Sequence, residues 1–280
     1  MLLLERLAGA ARQLADALAL PPREARLEAQ VLIAHALGVS RAWLIGHDRD
    51  SLTPAQADAV EALLQRRLAG EPVAYLLGQR EFYGRSFQVT PDVLIPRPDT
   101  ELLVELALAR LPQSEAVNVL DIGVGSGAVA ISLALERPRC RVTGVDISDA
   151  ALRVARGNAE ALKAAVEFLA SDAYSALGVR RFHLIVSNPP YVAAADPHLH
   201  QGDLRFEPLQ ALASGGDGLD LIRRLVAQSP AHLEAGAWLL LEHGWDQAAA
   251  VRALLQDAGF NGVFSASDLA GHERVTGGRA

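Results

Sequence analysis

The chain has 280 residues, 50% of them hydrophobic and 21% charged, and its 33 acidic and 26 basic side chains give a formal net charge of −7. This composition excludes general disorder, since a chain of this length and hydrophobic content can bury a core. The single cysteine, Cys140, excludes an internal disulfide, and charges interrupt the leucine-rich first 20 residues too often for a signal peptide. No apolar run has bilayer length, so the sequence predicts a cytoplasmic protein that does not contact a membrane.

The first 75 residues have the periodicity of a small helical bundle. Leucines recur at helical spacing over residues 3–18, apolar residues do so again over 27–37, and Pro21-Pro22 lies between the two runs. A third helix is predicted from Thr53-Pro54, a capping residue followed by proline, to Gly70. The 8 basic and 9 acidic side chains in residues 1–75 do not form the basic stripe of a nucleic-acid-binding domain. A role in protein recognition, or as a lid, fits better.

The remainder divides into a short linker and a larger domain. Aromatic residues around Gly84, followed by three prolines, predict a hairpin linker over residues 76–98. Helices and apolar strands then alternate in residues 99–280, as in a doubly wound α/β domain with a Rossmann-like parallel sheet. The predicted helices are 100–110, 127–136, 149–163, 218–229 and 246–258, and the strands are 117–120, 141–146, 166–169, 182–187 and 237–241. Two final strands, 263–266 and 274–276, lack an intervening helix and predict an antiparallel pair.

A glycine-rich turn follows the first strand of this domain. It is formed by Asp121, Ile122, Gly123, Val124, Gly125, Ser126 and Gly127. Glycines at this position let a nucleotide-like ligand approach backbone N–H groups at a helix N-terminus. Asp146 ends the next strand, where a carboxylate accepts hydrogen bonds from ribose hydroxyls.

The glycines alone leave three interpretations open: a methyl-donor nucleoside, a nicotinamide or flavin nucleotide, and a purely structural turn. Asp121 favours the first, because its carboxylate would repel a pyrophosphate and attract the ammonium group of S-adenosylmethionine. Asp172 follows the third strand and is predicted to share one crevice with Asp121 and Asp146, accepting a hydrogen bond from the adenine amine. The alternative for Asp172 is a helix cap.

Asn188-Pro189-Pro190-Tyr191 follows an apolar strand and favours methyl transfer to nitrogen. Asn-Pro and Pro-Pro are ordinary turn formers. The two prolines also remove two N–H donors, so the segment presents carbonyls and the Asn188 side-chain oxygen as fixed acceptors. Such acceptors would hold an NH₂ group and stabilise the positive charge that develops on its nitrogen, with Tyr191 as an aromatic wall.

Together with three further segments, these motifs resemble the HemK/PrmC family. The segments are Ile95-Pro96-Arg97-Pro98-Asp99-Thr100-Glu101, Gln201-Gly202-Asp203-Leu204-Arg205-Phe206-Glu207-Pro208 and Leu241-Glu242-His243-Gly244. The family's members are S-adenosylmethionine-dependent class I methyltransferases that modify the N5 amide of the Gly-Gly-Gln glutamine in class I peptide chain release factors. The resemblance extends over essentially the whole chain.

The resemblance implies roles for individual residues. S-adenosylmethionine, which becomes S-adenosylhomocysteine, would be bound by ten residues: Asp121, Gly123, Val124, Gly125, Ser126, Gly127, Asp146, Asp172, Ala173 and Asn188. The glutamine amide would be held by Asn188, Pro189, Pro190 and Tyr191, with Asn188, Pro189 and Tyr191 catalytic. Relatives often have an aromatic residue where this chain has Ala173, so either Ala173 or Tyr174 would flank the adenine. Arg97 and Glu101 would shape the pocket or fix the linker.

Two other functions compete with this one. An N6-adenine or N4-cytosine nucleic-acid methyltransferase would use the same acceptor motif, but the acidic net charge and the absence of an inserted duplex-reading domain argue against direct contact with nucleic acid. A module that binds S-adenosylmethionine without catalysis would not need the acceptor motif. Asp196, His198 and His200 lack further ligands at metal-binding spacing, so no metal is expected.

Overall fold

The computed structural model describes residues 2–280, and the contacts of its Cα atoms divide the chain into two compact units, 1–79 and 80–280. None of the helices within residues 2–280 is both long and apolar enough to cross a membrane.

The first unit is helical. Its helices are α1 Leu3–Leu18, α2 Pro22–Leu37, α3 Arg41–Gly46, α4 Pro54–Leu68 and α5 Val73–Leu77. Local chemistry sets their ends: Thr53 accepts a hydrogen bond from Gln56 N while the Gln56 side chain bonds back, and Gly38 ends α2 in the left-handed conformation. The three predicted helices are present, and two short ones, α3 and α5, were not predicted. The predicted end of the bundle, residue 75, lies within α5.

A buried ion pair connects α2 and α4. Arg67 is 4% exposed, and its Nε and Nη2 lie 2.8 and 3.3 Å from the two carboxylate oxygens of Glu28. Removing one partner of such a pair leaves an uncompensated buried charge. We therefore expect Glu28→Ala to lower the free energy of unfolding by about 3 kcal/mol in urea denaturation. In the matched control Glu71→Ala, which breaks the more exposed Arg66–Glu71 pair, we expect a loss below about 1 kcal/mol. Equal losses would contradict this account.

From residue 79 onward the chain forms a hairpin and an α/β sheet. The hairpin, β1 Gln79–Phe82 and β2 Arg85–Gln88, turns at Tyr83 and Gly84, both with positive φ. The remaining helices are α6 Glu101–Leu108, α7 Ala128–Glu136, α8 Asp149–Leu162, α9 Leu209–Leu212, α10 Asp220–Gln228 and α11 Ala248–Asp257. The strands are β3 Asn118–Ile122, β4 Arg141–Asp146, β5 Val166–Ala170, β6 Phe182–Ser187, β7 Leu233–Glu242, β8 Asn261–Ser267 and β9 Glu273–Arg279.

The seven strands β3–β9 form one sheet in the order β5-β4-β3-β6-β7-β9-β8. All are parallel except β9, which pairs antiparallel with both β7 and β8. Buried apolar clusters cover both faces, one containing Leu103 and Ile131 and the other Ile185 and Ile222. The predicted fold class is confirmed: a doubly wound sheet with a C-terminal antiparallel pair, preceded in the chain by a helical bundle and a hairpin.

Candidate active site

A cavity of about 360 Å³ lies at the carboxyl ends of β3, β4 and β6, where ligands bind in doubly wound sheets. Ten of the predicted site residues line it: Asp121, Gly123, Val124, Gly125, Ser126, Asp146, Asp172, Ala173, Asn188 and Pro190. Three do not: Gly127, Pro189 and Tyr191. Three acids at or just after the carboxyl ends of the neighbouring strands β3, β4 and β5 therefore meet in one crevice, as their positions in the sequence indicate.

The glycine-rich turn is held by the strand beside it. Gly123 N and Val124 N donate to the Val145 carbonyl at 2.9 and 3.0 Å, and all three glycines of the turn have positive φ. At Gly127 the requirement is packing, because a Cβ there would lie 2.7 Å from Ile131 Cδ1 and 3.3 Å from Ala155 Cβ on α8. Gly127 thus lets α7 begin close to its neighbour α8 and does not border the cavity.

Asp146 braces the same turn from the end of β4. Its Oδ2 accepts from Gly125 N and its Oδ1 from Ser148 N, both at 2.9 Å. Burial raises the pKa of Asp146, while these backbone hydrogen bonds oppose the shift. Each oxygen keeps a second lone pair, so the carboxylate can accept two further hydrogen bonds from a diol.

Asp121 is the most deeply buried of the three acids, with 2% of its surface exposed. Its Oδ2 accepts from Ala130 N at 3.0 Å. Burial raises the pKa of Asp121 to about 7; the bond from Ala130 opposes this shift and the Asp146 charge adds to it. An ionised Asp121 therefore provides a desolvated negative charge that favours a cationic group in the cavity.

The two residues that follow Asp172 are Ala173 and Tyr174, the two candidates for the residue beside the adenine, and only one of them lines the cavity. Both Asp172 oxygens accept from Arg224, at 2.9 and 2.5 Å, and Ala173 lines the cavity. Tyr174 does not: its ring stacks on His232 with centroids 4.7 Å apart, and its hydroxyl donates to the Leu225 carbonyl. Of the two, Ala173 is the residue that borders the ligand space.

The Asn188 side chain has one satisfied end and one free end. Its Nδ2 donates to Thr100 Oγ1 at 3.1 Å, whereas its Oδ1 is buried without any hydrogen-bond partner among the described residues. A buried acceptor without a partner is costly, and such groups are usually satisfied by a ligand or water. Because Asn188 lines the cavity, its unpartnered Oδ1 is the candidate acceptor for an N–H donor bound there.

Tyr191 is turned away from the cavity toward the end of β7. Its hydroxyl donates to Glu242 Oε1 at 3.4 Å, and its backbone carbonyl accepts from Gln247 Nε2 at 2.9 Å. Glu242 is 1% exposed; burial raises its pKa to about 7, and hydrogen bonds from Thr100 and Tyr191 oppose the shift. Tyr191 therefore supports the loop, and its ring does not line the cavity.

The loop before α6 and the loop after Tyr191 are tied together at the cavity mouth. Glu207 Oε2 accepts from Ile95 N at 3.0 Å, and Glu207 Oε1 pairs with Arg97 Nη2. Arg97 lines the cavity, whereas Glu101 accepts from Tyr83 N at 2.9 Å and thereby holds the hairpin. Of the two roles considered for these residues, shaping the pocket belongs to Arg97 and fixing the linker to Glu101.

Comparisons with known proteins identify this arrangement. Residues 99–218 match the family described as methyltransferase small domain, and residues 5–78 match the PrmC N-terminal domain. A release factor glutamine methyltransferase from Bordetella pertussis is 57% identical over 254 residues, covering 90% of this chain and 94% of that protein. Its counterpart from Escherichia coli K12 is 46% identical over 255 residues, covering 91% and 92%. This chain belongs to the release factor glutamine methyltransferase family. The family resemblance predicted from the motifs is confirmed.

Solved structures at lower identity share the fold of this family. A 16S rRNA methyltransferase from T. thermophilus is 24% identical with a TM-score of 0.55, covering 72% of this chain and 49% of that one. The catalytic domain of hMettl16 is 16% identical with a TM-score of 0.57, covering 77% and 81%. The sheet of this release factor glutamine methyltransferase family member is therefore common to enzymes with other substrates.

Four residues that shape the site were not predicted as site residues: Thr100, Glu207, Gly218 and Glu242. Thr100, Glu207 and Glu242 stand in the segments that resemble the family, so that resemblance was the available signal. Gly218 stands in none of these segments. Its φ is +80°, and a Cβ on it would lie 2.1 Å from the Tyr191 carbonyl oxygen.

Proposed function

We propose that this protein transfers the methyl group of S-adenosylmethionine to the N5 side-chain amide of the Gly-Gly-Gln glutamine in class I peptide chain release factors. The observation that carries the proposal is the unpartnered Asn188 Oδ1 in a cavity lined by three strand-end acids. Family membership supplies the substrate class. With that substrate, the reaction takes place in the cytoplasm, where translation terminates.

The residues of the cavity fit S-adenosylmethionine. Asp146 would accept from the ribose hydroxyls, and the buried Asp121 carboxylate would attract the ammonium group. Asp172 would accept from the adenine amine through its remaining lone pairs, and Ala173 would lie beside the ring. Gly123, Val124, Gly125 and Ser126 would form the surface against which the ligand lies, and Gly127 would allow α7 to begin there. When bound, this cofactor supplies an electrophilic methyl group.

The protein's task toward the glutamine is to orient a weak nucleophile. The lone pair of an amide nitrogen is delocalised into the carbonyl, so the nitrogen attacks only when it is held and partly pyramidalised. Asn188 Oδ1 would accept from one amide hydrogen and aim the nitrogen. The carbonyl of Pro189, which lies in the chain between the cavity-lining residues Asn188 and Pro190, would accept from the other and help to stabilise the charge that develops on the nitrogen. Pro190 would border the amide, and Tyr191 would hold the loop in place. The proton lost from the product leaves to solvent, so no dedicated general base is required.

The helical unit is proposed to recognise the release factor. Its 8 basic and 9 acidic side chains fit a protein surface better than a phosphate backbone. No direct contact with nucleic acid or membrane is proposed.

The function is tested by mass spectrometry of a bacterial class I release factor incubated with the protein and S-adenosylmethionine. We expect one added methyl group on the Gly-Gly-Gln glutamine and none on a release factor in which that glutamine is replaced. Transfer to adenine-containing DNA or RNA, with none to the release factor, would overturn the proposal in favour of a nucleic-acid methyltransferase.

Asp121 provides a test of the cofactor site. The pKa of Asp121 is near 7 in the folded protein and about 3.9 in the unfolded chain. Between these two pH values the folded protein binds more protons than the unfolded chain. The contribution of Asp121 to the free energy of unfolding therefore falls as the pH rises from about 4 to 7. At pH 8 the ionised carboxylate therefore carries its full burial cost. We expect Asp121→Asn to raise the unfolding free energy of the ligand-free protein by about 1–3 kcal/mol at pH 8. We also expect it to weaken S-adenosylmethionine binding at least about tenfold in calorimetric titration.

The matched control is Asp58→Asn, at an exposed position on α4, for which we expect changes below about 0.5 kcal/mol and unchanged affinity. Unchanged cofactor affinity in Asp121→Asn would remove the assigned role of Asp121.

A further inference from the structure

A buried amide on α8 joins that helix to the end of β2 and to the glycine-rich turn. The amide belongs to Asn158, which is 1% exposed. Its Nδ2 donates to the Ser126 carbonyl at 2.8 Å and to the Gln88 carbonyl at 3.0 Å. Its Oδ1 accepts from Gln88 N at 2.7 Å. Three segments that are far apart in the chain therefore meet at one side chain.

These three hydrogen bonds fix the orientation of the Asn158 amide. A backbone N–H can only donate and a carbonyl can only accept, so the Gln88 N–H requires the amide oxygen. The carbonyls of Gln88 and Ser126 both require the NH₂ group, whose two hydrogens match them in number. Separating any of these partners would leave a buried polar group unpaired, which is costly. The amide therefore holds its partners in one arrangement.

One partner of Asn158, Ser126, is 4% exposed and lines the cavity. The N–H groups of residues 123–125 and of Gly127 already donate to protein oxygens, whereas Ser126 N has no acceptor within the described residues 2–280. This N–H would suit a ligand acceptor such as the carboxylate of S-adenosylmethionine. By holding the Ser126 carbonyl, Asn158 restricts the backbone torsions of Ser126 and thereby the direction of its N–H.

The other partner of Asn158, Gln88, precedes a different part of the cavity wall. Gln88 ends β2 and does not itself line the cavity. The segment that follows it contains five cavity-lining residues: Asp92, Val93, Leu94, Pro96 and Arg97. Asn158 therefore ties the start of this segment to the glycine-rich turn.

We propose that Asn158 is a positioning residue for the cofactor, which holds the Ser126 carbonyl so that the Ser126 N–H faces the bound S-adenosylmethionine. Through Gln88 it also fixes the hairpin end of the cavity wall to the same turn. This inference rests on the proposed function, because that function names the ligand. It assigns a role in cofactor binding to a residue that does not border the cavity.

Asn158→Asp tests the proposal, because aspartate keeps the shape of asparagine and the acceptor for Gln88 N but loses the NH₂ group. Even a protonated aspartate could donate to only one of the two carbonyls. We expect the Kd of S-adenosylmethionine in calorimetric titration to rise about 10–30-fold. Its KM in release factor methylation should rise by a similar factor. At saturating S-adenosylmethionine, kcat should stay within about threefold, because the groups that would face the glutamine are unchanged.

This division between KM and kcat separates positioning from a purely structural role. A structural role would reduce the fraction of folded molecules, which lowers kcat and leaves KM unchanged. The matched control, Asn118→Asp, makes the same chemical change at the start of β3, where Nδ2 also donates to a carbonyl, that of Arg181. We expect it to keep the Kd and KM of S-adenosylmethionine within about twofold.

Hydrogen exchange of the unmodified protein gives a second measurement, which decides the matter if Asn158→Asp does not fold. S-adenosylhomocysteine bound against Ser126 should stabilise the bonds of Asn158 and slow exchange of the Gln88 amide hydrogen at least about tenfold. The Tyr83 amide serves as the matched control, because it lies in the same hairpin but donates to Glu101. Its exchange should slow by less than about threefold.

Each contrary result would overturn the proposal. These results are an unchanged Kd and KM in Asn158→Asp, a loss confined to kcat, equal effects of the two aspartate substitutions, or equal slowing of the Gln88 and Tyr83 amides. The proposed function fails differently: the unmodified protein would then bind no S-adenosylmethionine or would not methylate the release factor.

Discussion

Asn188→Ala is expected to lower kcat for release factor methylation by about 10²–10³-fold while the protein remains folded. The substitution removes the unpartnered Oδ1, the acceptor that is proposed to orient the substrate amide and to stabilise its developing charge. The loss should appear mainly in kcat, because the interaction strengthens as charge develops. The measurement is the rate of methyl incorporation at saturating S-adenosylmethionine, together with a thermal unfolding curve.

The matched control is Asn118→Ala at the opposite end of the sheet. Asn118 Nδ2 donates to the Arg181 carbonyl at 3.3 Å, and Asn118 starts β3 far along the strand from the cavity. We expect its activity to stay within about twofold of the unmodified protein. Turnover by Asn188→Ala at the unmodified rate would refute the role of the side-chain oxygen.

Gly218→Ala is expected to be nearly as damaging, although Gly218 belongs to none of the motifs. A methyl group there would lie 2.1 Å from the Tyr191 carbonyl oxygen and 2.8 Å from Gln247 Nε2, the group that donates to that carbonyl. The positive φ adds strain. We expect a loss of about 3 kcal/mol in the free energy of unfolding and, in the fraction that folds, a displaced Asn188–Tyr191 loop with at least about tenfold lower kcat.

Gly216 offers a control two residues away. Its added methyl group would meet no atom within 4 Å, and its φ is outside the left-handed region. Gly216→Ala should therefore keep stability within about 0.5 kcal/mol and retain activity. If both glycine variants behave alike in urea denaturation and in the methylation assay, the contact between Gly218 and Tyr191 does not hold the loop.

The sheet was predictable where its strands are buried on both faces. For β4 and β6, runs of apolar residues end at recognisable turns, and the predicted bounds coincide with the observed ones. The first half of β7 was missed because Glu234 and Gly236 interrupt its pattern, and β8 and β9 extend beyond their apolar residues. Short helices such as α3 and α5 contain too few turns for periodicity to detect.

The site was predictable to the extent that its residues stand at strand ends. That rule brings Asp121, Asp146 and Asp172 together, and the proline pair indicates that acceptors follow β6. Local sequence does not indicate that a charged residue such as Glu242 is almost fully buried, or which of two neighbours, Ala173 and Tyr174, faces inward. Those properties depend on contacts between residues far apart in the chain.

If Asp121 binds the cofactor as proposed, its burial couples cofactor binding to proton binding. In the ligand-free protein at neutral pH, part of the population carries a hydrogen on this carboxylate, since its pKa is about 7. A cation bound beside it would stabilise the ionised form, so binding of the cofactor with its ammonium group at the proposed position would release that proton to the medium. Cofactor binding would then release a fraction of a proton, and the measured heat of binding would include the ionisation enthalpy of the buffer that takes the proton up. A lower pH would therefore weaken cofactor binding, even though the proton on Asp121 does not occupy the space that the cofactor would fill.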